Sequence, residues 1–221
     1  MRLIKFLFKF AFYFVLISIA WVGLYAIVPP PITATMIMDE NSIIKDWTPL
    51  EDISPNMARA VIAAEDSKFC GHDGFDTEAI QKAIERNAKG GRIRGGSTIS
   101  QQVAKNAFLW QDGGYFRKGL EAYFTFLIET IWSKKRIMEV YLNIAETGIG
   151  TYGVQAGAQR YYNKDAKDLT RMEAARIAAA LPLPKKRAVI APNGFTRRYG
   201  NIIAARINVV KNEKLDDCVY K

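Results

Sequence analysis

The sequence predicts a mainly α-helical protein with one membrane-spanning helix at its N-terminus, and three observations lead to that fold class. Residues Phe10 to Val28 form an uncharged run of 19 residues, which at about 1.5 Å per residue is long enough to cross a hydrocarbon core of about 30 Å. Beyond it, Ala-rich segments with helix-start signals dominate, and the alternating patterns of β-strands are nearly absent. A hydrophobic content of 49% in 221 residues is enough for one well-packed domain.

The membrane segment also predicts how the chain is oriented. Arg2, Lys5 and Lys9 precede the apolar run with no acidic residue nearby, and Pro29–Pro31 closes it. Because basic residues stay on the cytoplasmic side, we expect the N-terminus in the cytoplasm and everything after Pro31 outside. A cleaved signal peptide is the alternative. The apolar run is longer than a usual signal-peptide core and no clear cleavage site follows it, which favours an uncleaved anchor.

Local signals predict the elements that follow. Ser54-Pro55 is a helix start, and its helix delivers Glu65 at the far end. Thr170 and Glu173 form a capping box that opens an Ala-rich helix. The predicted division is a cytoplasmic segment 1–9, an anchor 10–28, an extended linker or short strand in 29–48, a globular domain 49–212 and a polar tail 213–221.

The charge of the chain narrows the classes of partner. The net charge of +9 falls to +6 once Arg2, Lys5 and Lys9 are set aside. A basic domain held at a membrane suits anionic headgroups or a pyrophosphate-linked substrate. Nucleic acid would suit the charge, but it does not suit the topology, and no nucleic-acid-binding signature is present.

The cysteines and the single histidine predict neither a disulfide nor a metal site. Cys70 and Cys218 lie in a compartment that could oxidise them, but a domain of this size needs no disulfide, so we expect both to be free. His72 is the only histidine, and no CxxC or HExxH pattern occurs. A zinc site is therefore not supported.

Three polar clusters lie inside otherwise apolar helix sequence, and they form the candidate site. They are Ala60–Asp76, Gly95–Asn106 and Arg117–Glu121. If the second cluster is helical from Thr98, successive residues turn by about 100°, and one arc carries its polar side chains. That arc contains Thr98, Gln101, Gln102, Lys105 and Asn106.

Two carboxylates in these clusters are predicted to point inward. Glu65 shares a helix face with Ala58 and Val61, and Glu121 lies in line with the apolar stripe that begins at Phe124. Together with the basic residues beside them, they indicate acid–base chemistry on an anionic substrate. The alternative stays open at this point: an ordinary helix ion pair for Glu121 and a simple helix end for Glu65.

The sequence also resembles a known family. In chain order it carries Glu65-Asp66-x-x-Phe69-x-x-His72-x-Gly74, Gly95-x-Ser97-Thr98-x-x-Gln101-Gln102, Arg117-Lys118-x-x-Glu121 and Glu139-x-Tyr141-Leu142-Asn143. These resemble the signature motifs of the family 51 peptidoglycan glycosyltransferases, and most closely those of the monofunctional biosynthetic enzymes. The resemblance extends from the membrane segment to about Pro192.

That resemblance implies a lysozyme-like domain with a membrane-proximal jaw subdomain, acting on the periplasmic side of the bacterial cytoplasmic (inner) membrane. The implied donor is a growing glycan on undecaprenyl pyrophosphate, and the acceptor is lipid II, whose GlcNAc 4-hydroxyl attacks the anomeric carbon. Inversion of an α to a β1,4 linkage requires a base for the hydroxyl and stabilisation of the leaving group. Proteins of cell division or elongation are the implied protein partners.

The resemblance also implies roles for individual residues. Glu65 matches the family's base, and Glu121 its second essential carboxylate, which would hold the donor sugar or a divalent cation (Mg²⁺ or Mn²⁺) near the pyrophosphate. The implied substrate-binding residues are Gly95, Thr98, Gln102, Lys105, Arg117 and Lys118. The implied structural supports of the site are Asp66, Phe69, His72 and Asn143.

Two features add to this interpretation. Many relatives carry a basic residue four positions before Arg117, whereas this chain has Gly113 there, so one phosphate contact is expected to be missing. The basic loop Lys89–Arg94 and the aromatic-rich segment Asn106–Phe116 would suit the membrane surface. The aromatic side chains would equally suit the core, and the sequence leaves both readings open.

Two rival functions share parts of this pattern. A lysozyme-like muramidase or lytic transglycosylase would use a catalytic Glu on finished glycan, but it would need neither a basic pyrophosphate site nor an anchor beside a lipid substrate. A catalytically idle envelope scaffold would not need the acidic motif residues, all of which are present. Polymerisation of a lipid-linked sugar is therefore the favoured function.

Overall fold

The computed structural model describes residues 1–88 and 96–221, and within them the predicted mainly α fold class is confirmed. The loop Lys89–Arg94 and Gly95 lie outside the described residues. The helices are α1 Arg2–Tyr25, α2 Ala34–Ile37, α3 Pro55–Glu65, α4 Thr77–Ala88, α5 Ile99–Phe108, α6 Gly114–Ile131, α7 Lys134–Ile144, α8 Val154–Tyr162, α9 Arg171–Ala180, α10 Gly194–Asn212 and α11 Asp217–Tyr220.

A small sheet joins the predicted linker to the globular domain. Its strands are β1 Ile44–Lys45, β2 Glu146–Gly148 and β3 Thr151–Tyr152, in the order β1-β3-β2. β1 runs parallel to β3, and β2 pairs with β3 in the antiparallel sense. The linker also contains helix α2 and is therefore part of the folded domain, because its backbone supplies one edge of the sheet.

Two groups of helices form the core, and the candidate site lies where they meet. α5 packs against α6 and α7, while α3 packs against α9 and α10. Both groups bury aliphatic side chains completely, among them Met57, Ile62, Ile99, Ile128, Ile137 and Leu142. α3 begins with Pro55 after the predicted N-cap Ser54 and ends at Glu65, so the helix carries this carboxylate towards the start of α5.

The C-terminal half of α1 packs against the domain. α1 is the one helix among the described residues that is long and apolar enough to cross a membrane. Its Ser18 and Val22 are buried, and the Ser18 hydroxyl lies 2.6 Å from the hydroxyl of Tyr123 on α6. Trp132 Nε1 donates to the Val22 carbonyl oxygen at 2.8 Å, and Arg136 donates to the carbonyl oxygen of Tyr25. The anchor is therefore also a structural element.

Deleting residues 1–30 is expected to destabilise the domain even in detergent. The deletion leaves the buried indole N–H of Trp132 and the guanidinium of Arg136 without their carbonyl acceptors, and an unpaired buried polar group costs about 1–3 kcal/mol. Thermal unfolding should show a midpoint lower by several degrees. A deletion of residues 1–9 is the matched control, because it keeps every one of these contacts. Equal midpoints for the full chain and the longer deletion would contradict the structural role.

The C-terminal segment 213–221 folds back onto the domain and does not form the expected polar tail. Cys70 and Cys218, which are 148 residues apart, form a disulfide with a Cα–Cα distance of 5.5 Å. The prediction that both cysteines are free is therefore wrong. Arg59 Nε donates to Asp216 Oδ2 at 2.7 Å, and Val219 is 2% exposed. The size of the domain does not predict the disulfide. The two thiols meet only because the last helix, α11, docks beside the loop that contains Cys70.

Loss of this disulfide is expected to lower stability substantially. Removing a cross-link that closes a long loop typically costs about 2–5 kcal/mol, which for a domain of this size lowers the unfolding midpoint by about 10 °C. The measurement is thermal unfolding of the full chain with and without a reducing agent. The Cys70→Ser/Cys218→Ser double variant is the control and should not respond to the reductant. An unchanged midpoint for the reduced parent would contradict a stabilising role.

Candidate active site

Glu65 is the last residue of α3, and its side chain is oriented by a short chain of polar groups. Gln102 Nε2 donates to Glu65 Oε2 at 2.9 Å, and the Tyr141 hydroxyl donates to Gln102 Oε1 at 3.4 Å. Burial raises the pKa of the Glu65 carboxyl, and the hydrogen bond from Gln102 and the positive charge of Arg187 only partly oppose this. A desolvated carboxylate with a raised pKa is a better proton acceptor than one in water.

The loop after Glu65 is held by Asp66 and His72. Asp66 Oδ2 accepts the backbone N–H of Ile99 at 3.1 Å, and His72 Nε2 lies 3.0 Å from Asp66 Oδ1. His72 Nδ1 accepts the N–H of Gly74 at 3.1 Å. Asp66 thus joins the end of α3 to the start of α5. These contacts suit the structural-support roles predicted for the loop residues, roles that stay predictions.

Sequence reasoning missed a partly buried ion pair that also holds this loop. Lys134 Nζ donates to the His72 carbonyl oxygen at 2.6 Å and to Glu129 Oε1 at 2.7 Å. The same ammonium lies 4.6 Å from the centre of the Phe69 ring, which is fully buried. Glu129 also accepts from the Ser100 hydroxyl on α5. Because the two charges flank an ordinary helix junction in the sequence, no local pattern separated them from solvated surface residues.

The start of α5 uses two of the predicted polar-arc residues for capping. The Thr98 hydroxyl accepts from the Gln101 N–H, and Gln101 Oε1 accepts from the Thr98 N–H, so the two form a capping box. Thr98 Oγ1 also donates to the Gly74 carbonyl oxygen at 2.7 Å. Both side chains are buried, which leaves Gln102, Lys105 and their neighbour Asn106 to face the cavity described below. Substrate binding by Thr98 stays a prediction.

Glu121 forms a buried ion pair with two cations of its own helix. It is 3% exposed, and Arg117 Nη1 donates to its Oε2 at 2.7 Å while Lys118 Nζ contacts its Oε1. Lys118 also donates to Ser97 Oγ at 3.2 Å. The helix ion pair considered from the sequence is therefore present, and the predicted inward orientation of Glu121 is correct. Arg117 Nε is buried and has no hydrogen-bond partner among the described residues.

Lys105 lies in the wall of a cavity of about 510 Å³ that Gln102 and Tyr141 also line. Burial lowers the pKa of its ammonium group, and the nearby cations Arg117 and Lys118 lower it further, whereas Glu121 raises it. In the described part of the chain, Lys105 Nζ has no hydrogen-bond acceptor. An anionic ligand in this cavity would supply the missing partner.

Gly113, where the family resemblance predicts a basic residue, has a backbone that favours glycine. It is the N-cap of α6 with φ +106°, a conformation that L side chains rarely adopt. A Cβ atom there would lie 2.9 Å from Trp110 Nε1 and 3.0 Å from Arg117 Cβ. Introducing an arginine at this position is therefore not a simple gain of charge, because the turn before α6 would have to move.

The remaining predicted residues lie away from the cavity or outside the described part. Asn143 Oδ1 accepts the Thr48 N–H at 2.8 Å, and its Nδ2 donates to the Thr48 carbonyl oxygen at 2.8 Å, so it joins α7 to the segment before α3. Gly95 is not among the described residues. Within the described residues, no group of three or more His, Cys, Asp or Glu side chains could hold a metal ion.

The apolar and aromatic side chains of the segment Asn106–Phe116 fall into two groups, one buried in the core and one exposed at the surface. Phe108 and Leu109 are buried in the core, and Trp110 is half-buried against it. Tyr115 is 98% exposed and Phe116 is 73% exposed, both on the first turn of α6. α6 also packs against α1. The exposed aromatic side chains therefore lie on a helix held beside the anchor, where interfacial aromatics are expected.

The comparisons with known proteins agree with the geometry of the site. A family model described as Transglycosylase matches residues 33–208, which supports the predicted lysozyme-like glycosyltransferase domain. The chain is 51% identical to the biosynthetic peptidoglycan transglycosylase of Caulobacter vibrioides, covering 89% of this chain and 87% of that protein. It is 43% identical to that of Bdellovibrio bacteriovorus, over 96% and 90%, and 50% identical to that of Escherichia coli, over 82% and 81%. This chain therefore belongs to the transglycosylase family.

Proposed function

We propose that this chain is a membrane-anchored peptidoglycan glycosyltransferase that polymerises lipid II into linear glycan strands and releases undecaprenyl pyrophosphate. The observation that carries the proposal is that neighbouring positions of α5 hold a carboxylate and present a cation. Gln102 orients the Glu65 carboxylate, and Lys105, one helical turn further along α5, presents an ammonium group without a hydrogen-bond acceptor among the described residues. A base and a cation are what transfer from a pyrophosphate leaving group requires.

In this mechanism Glu65 accepts the proton of the GlcNAc 4-hydroxyl of lipid II. The hydroxyl oxygen then forms a bond to the anomeric carbon of the donor while the bond to the pyrophosphate oxygen breaks on the opposite face. The electron pair leaves with the pyrophosphate, and Lys105 and Arg117 stabilise the charge that develops there. One displacement of this kind inverts the anomeric configuration without a covalent enzyme intermediate.

The contacts of Glu121 suit the positioning of two side-chain cations better than the binding of a metal ion. Both of its oxygens contact cations of α6, Arg117 and Lys118. A divalent cation near the pyrophosphate therefore does not fit the side chains that the structure describes there, and no step of the mechanism is derived through one. Glu121 would instead fix the two cations Arg117 and Lys118 beside the leaving group.

The proposed location follows from the anchor. α1 would have its N-terminal end in the cytoplasm and the domain on the periplasmic side of the cytoplasmic (inner) membrane, because Arg2, Lys5 and Lys9 lie at its start. The lipid-linked substrates lie in that same membrane. Binding to proteins of cell division or elongation stays a separate proposal.

The test is incubation of the purified full chain with labelled lipid II in detergent. A polymerase converts it to long glycan strands that a muramidase degrades, whereas a lytic enzyme leaves lipid II unchanged and shortens added glycan. A scaffold does neither. Glu65→Gln is the matched control for contaminating activity. Failure of the parent to form polymer would overturn the proposal.

A further inference from the structure

A cluster of charged and polar side chains lies in the wall of the cavity that Lys105 also lines. Its residues come from distant parts of the chain. Asp39 follows α2, Glu146 begins β2, and Lys185 follows α9. Tyr152 on β3, paired with Glu146 in the sheet, completes the group. These residues belong to none of the motifs that carry the proposed reaction, and the two acidic side chains differ in how fully they are paired.

Asp39 is fully paired. It accepts hydrogen bonds from the Tyr152 hydroxyl at 2.6 Å and from Asn41, and Lys185 Nζ lies 3.1 Å from both of its oxygens. The bond from Tyr152 is the main cause that holds the pKa of this carboxyl well below its usual range. Asp39 therefore stays ionised, and it takes up most of the hydrogen-bonding capacity of Lys185.

Glu146 is not fully paired. Its Oε1 is buried and has no hydrogen-bond partner among the described residues, and the nearest cation, Lys185 Nζ, lies 3.5 Å away. Burial raises the pKa of this carboxyl. This one distant contact leaves the carboxylate with spare capacity to accept hydrogen bonds. The Glu146 side chain is 20% exposed and lines the cavity, so a donor group of a bound ligand can reach the carboxylate through its other oxygen.

The chemistry of the surroundings decides what kind of ligand fits. A second anionic group is disfavoured here, because Asp39 and Glu146 lie together and share one lysine. A neutral donor, such as a hydroxyl or an amide N–H, meets no such repulsion. The cavity of about 510 Å³ is within the range of pockets that hold whole small ligands, so it has room for sugar rings beyond the pyrophosphate that Lys105 would hold.

We propose that Glu146 is a sugar-recognition residue, whose carboxylate accepts a hydrogen bond from a hydroxyl or amide N–H of the saccharide held in this cavity. The inference rests on the proposed function, because it assumes that the lipid-linked saccharide places its pyrophosphate against Lys105. Asp39 positions Lys185, and Lys185 keeps the Glu146 carboxylate oriented towards the ligand. A hydrogen bond of this kind is present both before and during the reaction, so it contributes to binding more than to the chemical step.

The experiment measures initial rates of polymerisation against lipid II concentration for the full chain and two variants. Glu146→Leu, which removes the acceptor but keeps a similar volume, is expected to raise KM about tenfold and to change kcat less than threefold. Glu146→Gln should raise KM less, because its amide oxygen can still accept. The exposed Glu51→Leu is the surface control, and thermal unfolding checks that each variant is folded.

The outcomes separate this inference from the proposed function. A parent that polymerises lipid II, with a KM for both Glu146 variants equal to the parent's, would overturn the role of Glu146 and leave the proposed function standing. A lower kcat at unchanged KM would also overturn it, because a merely structural residue gives that result. If Glu146→Leu does not fold, the KM of Glu146→Gln decides in the same way. A parent that makes no polymer would overturn the proposed function itself.

Discussion

Glu65→Gln is expected to abolish polymerisation of lipid II while the domain stays folded. The substitution removes the proton acceptor and keeps the shape of the side chain, so the donor Gln102 Nε2, now 2.9 Å from the carboxylate, still has an oxygen to bind. Loss of one positioned base typically lowers the rate by about 10² to 10⁴. The measurement is the rate of polymer formation by the purified full chain.

The pH dependence of the parent enzyme provides a second test of this role. Burial raises the pKa of the Glu65 carboxyl above its ordinary value of 4.5. The base is active only when ionised, so kcat should fall as the pH is lowered through that raised pKa. The same shift means that ionisation destabilises the folded state, and this cost grows as the pH rises through the raised pKa. At neutral pH, Glu65→Gln should therefore unfold at the same temperature as the parent or a higher one.

Two results would contradict this role of Glu65. Polymer formation within tenfold of the parent would show that another group accepts the proton. A variant that is inactive and also unfolds much earlier than the parent would show a structural role instead. Glu51→Gln, on an exposed short helical turn, is the matched control for the substitution itself.

Lys105→Ala is expected to lower kcat by about 10² to 10³, and Arg117→Ala by less. A fixed cation contributes most when the pyrophosphate gains charge as the glycosidic bond breaks, so the loss should appear in kcat and not only in KM. Lys105 Nζ has no acceptor among the described residues, whereas Arg117 already donates to Glu121 at 2.7 Å. The unpaired cation therefore has more of its charge available for the substrate.

Lys105→Met separates charge from packing, because it keeps most of the aliphatic stem and should lose as much activity as Lys105→Ala. Arg117→Ala removes one of the two cations that pair with buried Glu121, so its unfolding midpoint should fall, whereas that of Lys105→Met should not. A normal kcat for Lys105→Met on lipid II would remove Lys105 from the mechanism. Equal losses in kcat for Lys105→Ala and Arg117→Ala would contradict only the expectation that Lys105 contributes more than Arg117.

The sequence predicted those parts of the fold and site that local signals determine. Pro55 after Ser54 places the start of α3, and the helix then ends at Glu65. The capping box of Thr170 and Glu173 opens α9 as predicted. Such signals act within one or two helical turns, so they are visible in the chain without knowledge of the fold.

Other parts depended on contacts between distant segments, and the sequence alone did not show them. Lys134 reaches the loop of His72 across 62 residues, and Glu146 comes beside Lys185 only when the sheet and the segment after α9 are in place. Position 113 looked like a lost phosphate contact, but its left-handed backbone gives a local reason for glycine. The contacts of Lys134 and Glu146 require tertiary packing, which no spacing rule encodes.

The disulfide between Cys70 and Cys218 also bears on when the enzyme becomes mature. The first cysteine lies in the loop that follows α3, and its partner comes 148 residues later. If the domain lies outside the membrane, as we propose, the bond can close only after the intervening chain has been synthesised and exported into an oxidising compartment. A chain still in the cytoplasm or partway through the membrane would lack this constraint on the loop after α3. Export and oxidation would thus act as the final assembly step, which favours glycan synthesis on the side of the membrane where the wall is built.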